Sequence, residues 1–398
     1  MILAHKIRLV PTAEQEVYFV RACGTARFAY NWALTQWQRL HLVGEKPREA
    51  ALRRALNAVK HERFPWMLEV TKNAPQQAIK NLGRAYANFF DDLAKYRRGE
   101  LSWKRVRVPR FKRKGINDAF RADNGQDRAH PDAVQVDGRR VKLPIVGWVK
   151  MREEVRFAGN VVAVTVSRRA DAWYASFQVE TYFEPEMRTD TSRRGVDLGV
   201  TALATLDDGT KIPAPKPLRR YLKKLKRVQH ALSRKQRGSK NRSKAKTKLA
   251  RLHRRIADIR VDALHKLTTA LLNAATVVVE DLNVAGMLAN RHLSRAISDV
   301  GMFEFRRQLE YKAKLAGSTV VAAERWFPSS KLCSTCGVKN ERLTLGERTW
   351  TCASCGTTHD RDHNAAVNLA RYPESWAGSA CRAEGAGGGN HPAAKPAA

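Results

Sequence analysis

The sequence predicts a multidomain α+β protein. Three observations predict it: period-two alternation before residue 184, strands alternating with long helices after it, and a helical stretch that interrupts the first pattern. The chain has 398 residues, enough for two or three domains, and 43% of them are hydrophobic, which supplies a sizeable core and excludes a disordered chain. Lysine and arginine number 73 against 38 acidic residues, a formal net charge of +35. Self-repulsion on that scale argues against a neutral metabolic enzyme and for a polyanionic partner, DNA or RNA, with a membrane surface the weaker alternative. The first residues carry scattered charges and no small-residue cleavage site. The apolar stretch 267–279 is too short to span a bilayer. The expectation is a cytoplasmic protein whose six cysteines are metal ligands or inert thiols.

Taken in order, Leu3, Ile7 and Leu9 alternate with Lys6 and Arg8 in a first strand that Pro11 ends. Thr12 followed by Gln15 is a capping box, and Val17, Val20 and Ala22 carry a helix to Gly24. A second helix is expected over Ala26, Tyr30, Ala33, Leu34 and Trp37. A third starts near Pro75 and runs through Ile79, Leu82, Tyr86, Phe89, Leu93 and Tyr96. Residues 12–98 therefore read as a helical module. From Leu101 to about Glu184 the period becomes two. Trp173, Ala175, Phe177 and Val179 share one face, and Val162, Val164 and Val166 precede them across a turn at Arg169–Ala172. That is a hairpin in a small antiparallel sheet or barrel. The helical module is then an insertion into a β domain made of residues 1–11 and 99–186.

After a charged linker, R-G-V-D-L-G-V-T-A-L-A-T-L-D-D-G-T-K-I reads as two strands turning at Asp208–Gly209. Two long helices follow. One carries Leu218, Leu222, Leu225 and Leu232; the other carries Leu249, Leu252, Ile256, Ile259, Ala263, Leu267 and Leu271, with a loop at Arg237–Ser243 between them. A buried strand at Thr276–Val279, a helix at Met302–Leu315 and a strand at Thr319–Ala322 complete an α/β domain over 187–332, resumed at 356–372. The Ala/Gly/Pro-rich tail 373–398 reads as disordered.

Three motifs carry chemistry. Cys333 and Cys336, then after fifteen residues Cys352 and Cys355, are two C-x-x-C knuckles whose thiolates can close a tetrahedron around zinc, leaving no position for catalysis. Cys23 reads as a small core residue and Cys381 as a tail thiol. Asp197 lies within an apolar strand, Glu280 ends another, and Asp362 opens a helix. Taken singly, each reads as a strand-end or cap acid, and Asp362 as an N-cap. Brought together by one sheet, the three would hold two divalent ions about 4 Å apart, a site for phosphodiester hydrolysis that suits Mg²⁺. Asp281 reads as exposed, and Asp360 as a supporting or turn acid. The third motif is basic density: nineteen Lys/Arg against one acid between Lys216 and Arg260, and seven more between Lys104 and Lys114 beside Phe111. Such density fits phosphate contacts without sequence readout.

Together these blocks resemble the TnpB proteins of bacterial insertion sequences, relatives of the type V CRISPR effectors. The likeness runs through G-T-A-R-F-A-Y-N-W-A-L, V-P-R-F-K-R-K, K-L-P-I-V-G-W-V-K, G-V-D-L-G-V, V-V-V-E-D-L-N, F-P-S-S-K-L-C-S-T-C-G and T-W-T-C-A-S-C-G-T-T-H-D-R-D-H-N-A-A-V-N-L, ending near Arg371. The resemblance implies a β-barrel wedge domain with the inserted helical recognition module, and a RuvC-like (ribonuclease H-type) nuclease domain with a zinc ribbon at 333–355. It places the catalytic, Mg²⁺-binding acids at Asp197, Glu280 and Asp362, and Zn²⁺ at the four cysteines. It further implies a protein, monomeric in its ribonucleoprotein, that uses a transposon-derived guide RNA (omega RNA), recognises a transposon-adjacent motif and cleaves double-stranded target DNA. Lys72, Gln76 and Gln77 correspond to the region placed against the adjacent-motif duplex, where Gln can read adenine; polar residues on an exposed first turn are an equal reading. Arg110, Phe111, Lys112 and Arg113, with Lys223, Lys224, Arg227, Arg251, Arg254 and Arg255, are the nucleic-acid candidates. Asn283–Gly301 resembles a lid, with Arg291 and Arg295 as candidate strand contacts, and Arg361 orients the acids or binds phosphate. Three other functions compete: a nuclease-dead guided repressor, which the three intact acids oppose; a strand-transfer enzyme on the same fold; and a zinc-ribbon binding protein, which leaves the acids unexplained.

Overall fold

The computed structural model describes residues 1–124, 134–182, 184–186, 188–344 and 346–373; the tail from 374 on, with Cys381, lies outside them. The chain divides into two compact units, Met1–Phe183 and Glu184–Ala398. No helix among the described residues is long and apolar enough to cross a membrane.

The first unit contains β1 (Ile2–Val10), α1 (Ala13–Leu42), α2 (Glu49–Arg63), α3 (Asn73–Arg97), β2 (Ala119–Asp123), β3 (Gln135–Asp137), β4 (Arg140–Leu143), β5 (Gly147–Met151), β6 (Asn160–Arg169) and β7 (Ala172–Glu180). The strands form one sheet in the order β2-β6-β7-β1-β5-β4-β3, with every neighbouring pair antiparallel. The strand that comes first in the chain is thus central, and the helices are inserted between it and β2. β1 pairs with β7 from Ile2↔Glu180 to Arg8↔Tyr174, then with β5 at Leu9↔Met151. Its odd-numbered residues face inward: Ile7 and Leu9 are buried, and so is His5, which hydropathy alone does not place there. Opposite them Trp173, Ala175, Phe177 and Val179 are buried as the alternation requires. Among the described residues β2 and β3, at the two ends of the order, do not pair with each other. The Asn124 side chain, just past β2, instead bonds the backbone of Val134 and of Val161.

Gly24 does not end the first helix. α1 runs thirty residues through it, so the expected second helix is the second half of the first. A mid-helix glycine costs about 1 kcal/mol. Buried Phe19, Ala22 and Cys23 before it, and Ala26, Ala29 and Leu34 after it, outweigh that. The capping box is present: Thr12 Oγ1 accepts from Gln15 N, and Gln15 Oε1 accepts from Thr12 N. Burial pushes the Cys23 thiol up to about 12, in keeping with a core position.

The second unit holds β8 (Arg193–Asp197), β9 (Ala202–Leu206), β10 (Lys211–Pro213), α4 (Pro217–Ser233), α5 (Lys240–Leu271), β11 (Thr276–Glu280), α6 (Val284–Ala289), α7 (Ser294–Val300), α8 (Met302–Ala316), β12 (Thr319–Ala323), β13 (Thr349–Thr351), β14 (Thr358–Asp360) and α9 (Arg361–Ala370). Five strands form a sheet in the order β10-β9-β8-β11-β12. β8, β11 and β12 run parallel, while β9 and β10 are antiparallel additions. The stretch read as two strands is therefore three. The loop expected at Arg237–Ser243 lies instead at 234–239, because α4 ends at Ser233 and Ser239 caps α5 by accepting from Arg242 N. The loop at Asn283–Gly301 is instead two short helices, α6 and α7.

Candidate active site and metal centre

Period two decides which way the first two acids face. Val277 and Val279 pack in the core cluster with Leu264, Leu267 and Phe305, whereas Val278 packs with Leu369 and Tyr372 at the end of α9. Glu280, two residues beyond Val278, therefore faces the α9 side. β8 is in parallel register with β11, ending at Val279↔Val196, so Asp197 and Glu280 leave the carboxyl ends of adjacent strands side by side. Carboxyl ends of parallel strands are where α/β sheets place ligands.

Gly195 brings the third acid in. A Cβ there would lie 1.9 Å from the Ala366 carbonyl oxygen and 2.4 Å from the Ala370 nitrogen. Only glycine lets the α9 backbone sit directly on β8. Asp197 shares the face of Gly195, and Asp362 is one turn before Ala366 on the same side of α9. The N-cap is Asp360, not Asp362: the Asp360 side chain accepts from His363 N at 3.0 Å and pairs with Lys211 Nζ at 2.7 Å. Asp362 is left with its carboxylate free of capping, at the positive end of the helix.

The electrostatics record the convergence. Burial, then the charges of Glu280 and Asp362, pushes the Asp197 carboxyl up to about 8. Burial also raises Glu280, against a hydrogen bond from Ser329 Oγ at 2.8 Å and the charge of Arg361. Arg348 pairs with Asp362 at 3.1 Å. Three half-buried carboxylates, two of them raised by burial and Asp197 further by its acidic neighbours, are a donor set short of positive charge, and hard divalent ions meet that need. Asp281, expected to be exposed, is instead half-buried between Arg306 at 3.0 Å and Arg325 at 2.8 Å.

The four thiols converge as well. Sγ atoms of Cys333, Cys336, Cys352 and Cys355 all lie within 4.8 Å of one another, with 3.6 Å for Cys333–Cys355 and for Cys336–Cys352. Zn–S bonds of about 2.3 Å in a tetrahedron require separations of about 3.8 Å, so the set fits zinc. Both knuckles are built alike. Gly337 and Gly356 take positive φ (76° and 71°) and donate to the carbonyls of Cys333 and Cys352. His359 Nε2 lies 3.0 Å from Cys333 Sγ, an outer contact of the kind that orients metal ligands.

Two asparagines tie this cluster to the acids, and the sequence reading missed them. Asn364 and Asn368, one turn apart on α9 and both buried, hold the loop 329–334. Asn364 donates to the Leu332 carbonyl at 2.7 Å and accepts from Ser334 N at 2.9 Å; Asn368 donates to the carbonyls of Ser329 and Leu332, each at 2.7 Å. Ser329 in turn bonds Glu280, so one loop joins the first knuckle, α9 and an acid. The signal was available: two amides four residues apart in an otherwise apolar helical stretch point at something polar.

The basic candidates fall in both units. Lys223, Lys224, Arg227, Arg251 and Arg255 are exposed on α4 and α5, which pack through Leu225, Leu252 and Ile256, while Arg254 is half-buried and Arg255 stacks over Tyr221. In the first unit Arg110, Phe111 and Arg113 are exposed. Lys112 is anchored, its backbone held by Asn31 and its ammonium 4.2 Å above the Tyr30 ring. Lys72 is exposed and Gln76 half-buried. Gln77 donates to the Asp123 carboxylate, which also takes Arg121. In the second unit Arg291 and Arg295 line a cleft with Lys216 and Arg219. Arg361 reaches the Thr344 carbonyl at 3.4 Å, and its charge acts on both Asp197 and Glu280.

With this geometry in hand, known proteins sort the chain readily. A Streptomyces pristinaespiralis protein named "Putative RNA-guided DNA endonuclease" is 40% identical over 383 residues, covering 95% of this chain and 90% of the relative. The chain belongs to the OrfB (TnpB) family of insertion-sequence proteins. The OrfB_IS605 family model, described as "Probable transposase", matches residues 176–291; a "Cas12f1-like, TNB domain" model matches 303–369, and a "Helix-turn-helix domain" model matches 1–46. In this structure the last segment is β1 and the unbroken α1. InsQ of Escherichia coli K12, another family member, is 36% identical over 389 residues, covering 92% of this chain and 91% of InsQ. A solved Cas12f1–sgRNA–target DNA complex shares the fold, at TM-score 0.56 and 14% identity, covering 93% of this chain and 98% of that one.

Proposed function

We propose that this family member is an RNA-guided endonuclease that cleaves double-stranded DNA by two-metal-ion hydrolysis. The observation that carries the reading is the convergence of Asp197, Glu280 and Asp362 at the carboxyl edge of the parallel strands, where burial, and then the charges of the other two acids, push Asp197 up to about 8. Names of relatives support the guided part. The Streptomyces and E. coli proteins carry that name, and Cas12f1 of Sulfoacidibacillus thermotolerans is 26% identical over 223 residues.

On this reading the second unit is a RuvC-like nuclease domain (187–332 and 356–372) with a zinc ribbon at 333–355. The first is a β-barrel wedge (1–11 and 99–186) carrying a helical recognition module (12–98). The protein works as a cytoplasmic, monomeric ribonucleoprotein with its omega RNA. Magnesium held by the three acids would activate water and stabilise the leaving oxygen of the phosphodiester. The chain's own part is positional. Gly195 seats α9 so that Asp362 meets Asp197; Ser329 orients Glu280; Arg348 and Arg361 supply positive charge beside the acids for the scissile phosphate. Base pairing with the guide reads the target, while the protein reads shape and the adjacent motif, for which Lys72 and Gln76 are the candidates.

The test is to co-purify the protein with its native RNA, add matching duplex and Mg²⁺, and compare wild type with Asp197→Ala. Cleavage that needs both the matching guide and Asp197 is expected. Strand joining in place of hydrolysis would instead establish a transposase, and binding without cleavage a guided repressor.

A further inference from the structure

Glu280 lines a cavity of about 370 Å³ together with three arginines, Arg306, Arg307 and Arg325. A guanidinium beside an open carboxylate ordinarily forks onto it. Glu280 instead takes its hydrogen bond from the Ser329 hydroxyl at 2.8 Å. Each arginine goes to a different acid. Arg306 pairs with Asp281 at 3.0 Å and with Glu310 at 2.9 Å, Arg307 with Glu304 at 2.7 Å, and Arg325 with Asp281 at 2.8 Å. Asp281 is the residue next to Glu280, and two of the three guanidiniums end on it.

The sheet explains the division. Val277 and Val279 pack in one cluster with Phe305 and Leu309 of α8, and Asp281 continues their parity toward Arg306 on that helix. The other parity belongs to Val278 and Glu280. β12 runs parallel to β11 with Ala323 opposite Glu280, and Ala323 packs with Val278 and Leu369. Arg325 comes two residues after Ala323, in the segment that also brings Ser329 onto Glu280. The two oxygens of Asp281 are shared out, Oδ1 accepting from Arg306 and Oδ2 from Arg325. Among the described residues Arg325 has no second ion pair, whereas Arg306 keeps Glu310. Arg325 is therefore the guanidinium that loss of the Asp281 charge would release beside Glu280.

We propose that Asp281 is a positioning residue of the acid site, which draws Arg306 and Arg325 away so that Glu280 stays open to a divalent metal ion. A guanidinium forked onto Glu280 would supply the charge that the ion supplies and occupy the same oxygen lone pairs. Asp281 acts through the two arginines, not on the substrate. The inference rests on the two-metal reading of the acids, and adds to it a condition that the three acids alone do not meet.

The test measures Mn²⁺ binding, as a probe for Mg²⁺, to the zinc-loaded, RNA-free full chain by electron paramagnetic resonance. Only the Mn²⁺ that Asp197→Ala loses is counted. Asp281→Asn should bind it about tenfold more weakly, the usual size of effect for residues that support metal ligands. Arg306→Gln combined with Arg325→Gln breaks the same two ion pairs from the other side, and should leave the affinity within about twofold of wild type. Adding Arg325→Gln to Asp281→Asn should recover most of the loss. In the ribonucleoprotein, Asp281→Asn should raise the Mg²⁺ concentration for half-maximal cleavage and leave the rate at saturating Mg²⁺ unchanged, because guanidinium and ion compete for one carboxylate. A clamp that merely held α8 to the sheet would behave otherwise: the arginine pair would lose as much Mn²⁺ as Asp281→Asn, and the combined variant would recover nothing. Either result overturns the proposal, as does wild-type Mn²⁺ affinity in Asp281→Asn. A wild-type chain without Asp197-dependent Mn²⁺ sinks the two-metal reading itself and the proposal with it, an outcome that shows before any Asp281 variant is made.

Discussion

The thiol cluster and the carboxylate cluster are both sets of metal-type donors, yet the chain assembles them in opposite ways. The thiols come from 23 consecutive residues, 333–355, each pair closed by its own left-handed glycine. The carboxylates come from residues 197, 280 and 362, on two strands and a helix. The thiols make a complete tetrahedral set, and a zinc held by them has no open position. The acids remain short of charge, with Asp197 pushed up to about 8. A closed local site suits holding a fold together; an open, strained, long-range site suits chemistry. The two are not independent, because Asn364, Asn368 and Ser329 link the first knuckle to Glu280.

The largest break in this comparison is Asp197→Ala. Cleavage should fall by about a thousandfold or more, since several kcal/mol of transition-state stabilisation go with the metals, while RNA and DNA binding stay within about twofold. Gel-based cleavage rates alongside binding curves check it; a variant that cuts at a tenth of the wild-type rate would remove Asp197 from the chemistry. Cys352→Ser comes next. Structural zinc contributes on the order of 10 kcal/mol to a small ribbon, so this variant should lose zinc, become protease-sensitive within 333–360, and lose cleavage together with that order. Full activity in zinc-stripped protein would contradict it.

Gly195→Ala tests the seat of α9. A Cβ placed 1.9 Å from the Ala366 carbonyl must displace the helix, at about 3 kcal/mol or more, and Asp362 moves with it. A lowered melting temperature with cleavage lost beyond what stability explains is the expected outcome. Asn368→Ala is milder, about 1–3 kcal/mol, because it takes the 2.7 Å buried donor from the Ser329 carbonyl, while the Leu332 carbonyl keeps Asn364. Its signature is reduced cleavage with zinc content unchanged; if both stay at wild-type values, the link between the two clusters is only apparent.

The smallest effect concerns pH. The Asp197 carboxyl is raised from 3.8 to about 8, so its protonated form is favoured in the fold. That contribution to stability is fully present below about pH 4 and is lost as pH rises through 8. In metal-free protein, Asp197→Asn should therefore melt a few degrees higher than wild type at pH 8 or above, with the gap closing toward pH 4. Added Mg²⁺ should stabilise the wild type and not the variant. A gap that is constant with pH would show that burial of this carboxylate is not what strains the pocket.

Local chemistry is what the sequence alone determined. The β1 and β7 alternations, the Thr12 capping box, the two knuckles and the candidacy of three acids in apolar surroundings all rest on residues within a turn or a strand of one another. The continuity of α1 through Gly24, the central place of β1 in its sheet, and the capping role of Asp360 in place of Asp362 were decided by packing partners dozens of residues away. So were the ion pairs of Asp281 and the tie between Gln77 and Asp123. Periodicity encodes which way a side chain points; only the closed sheet and the helix laid upon it decide what it points at.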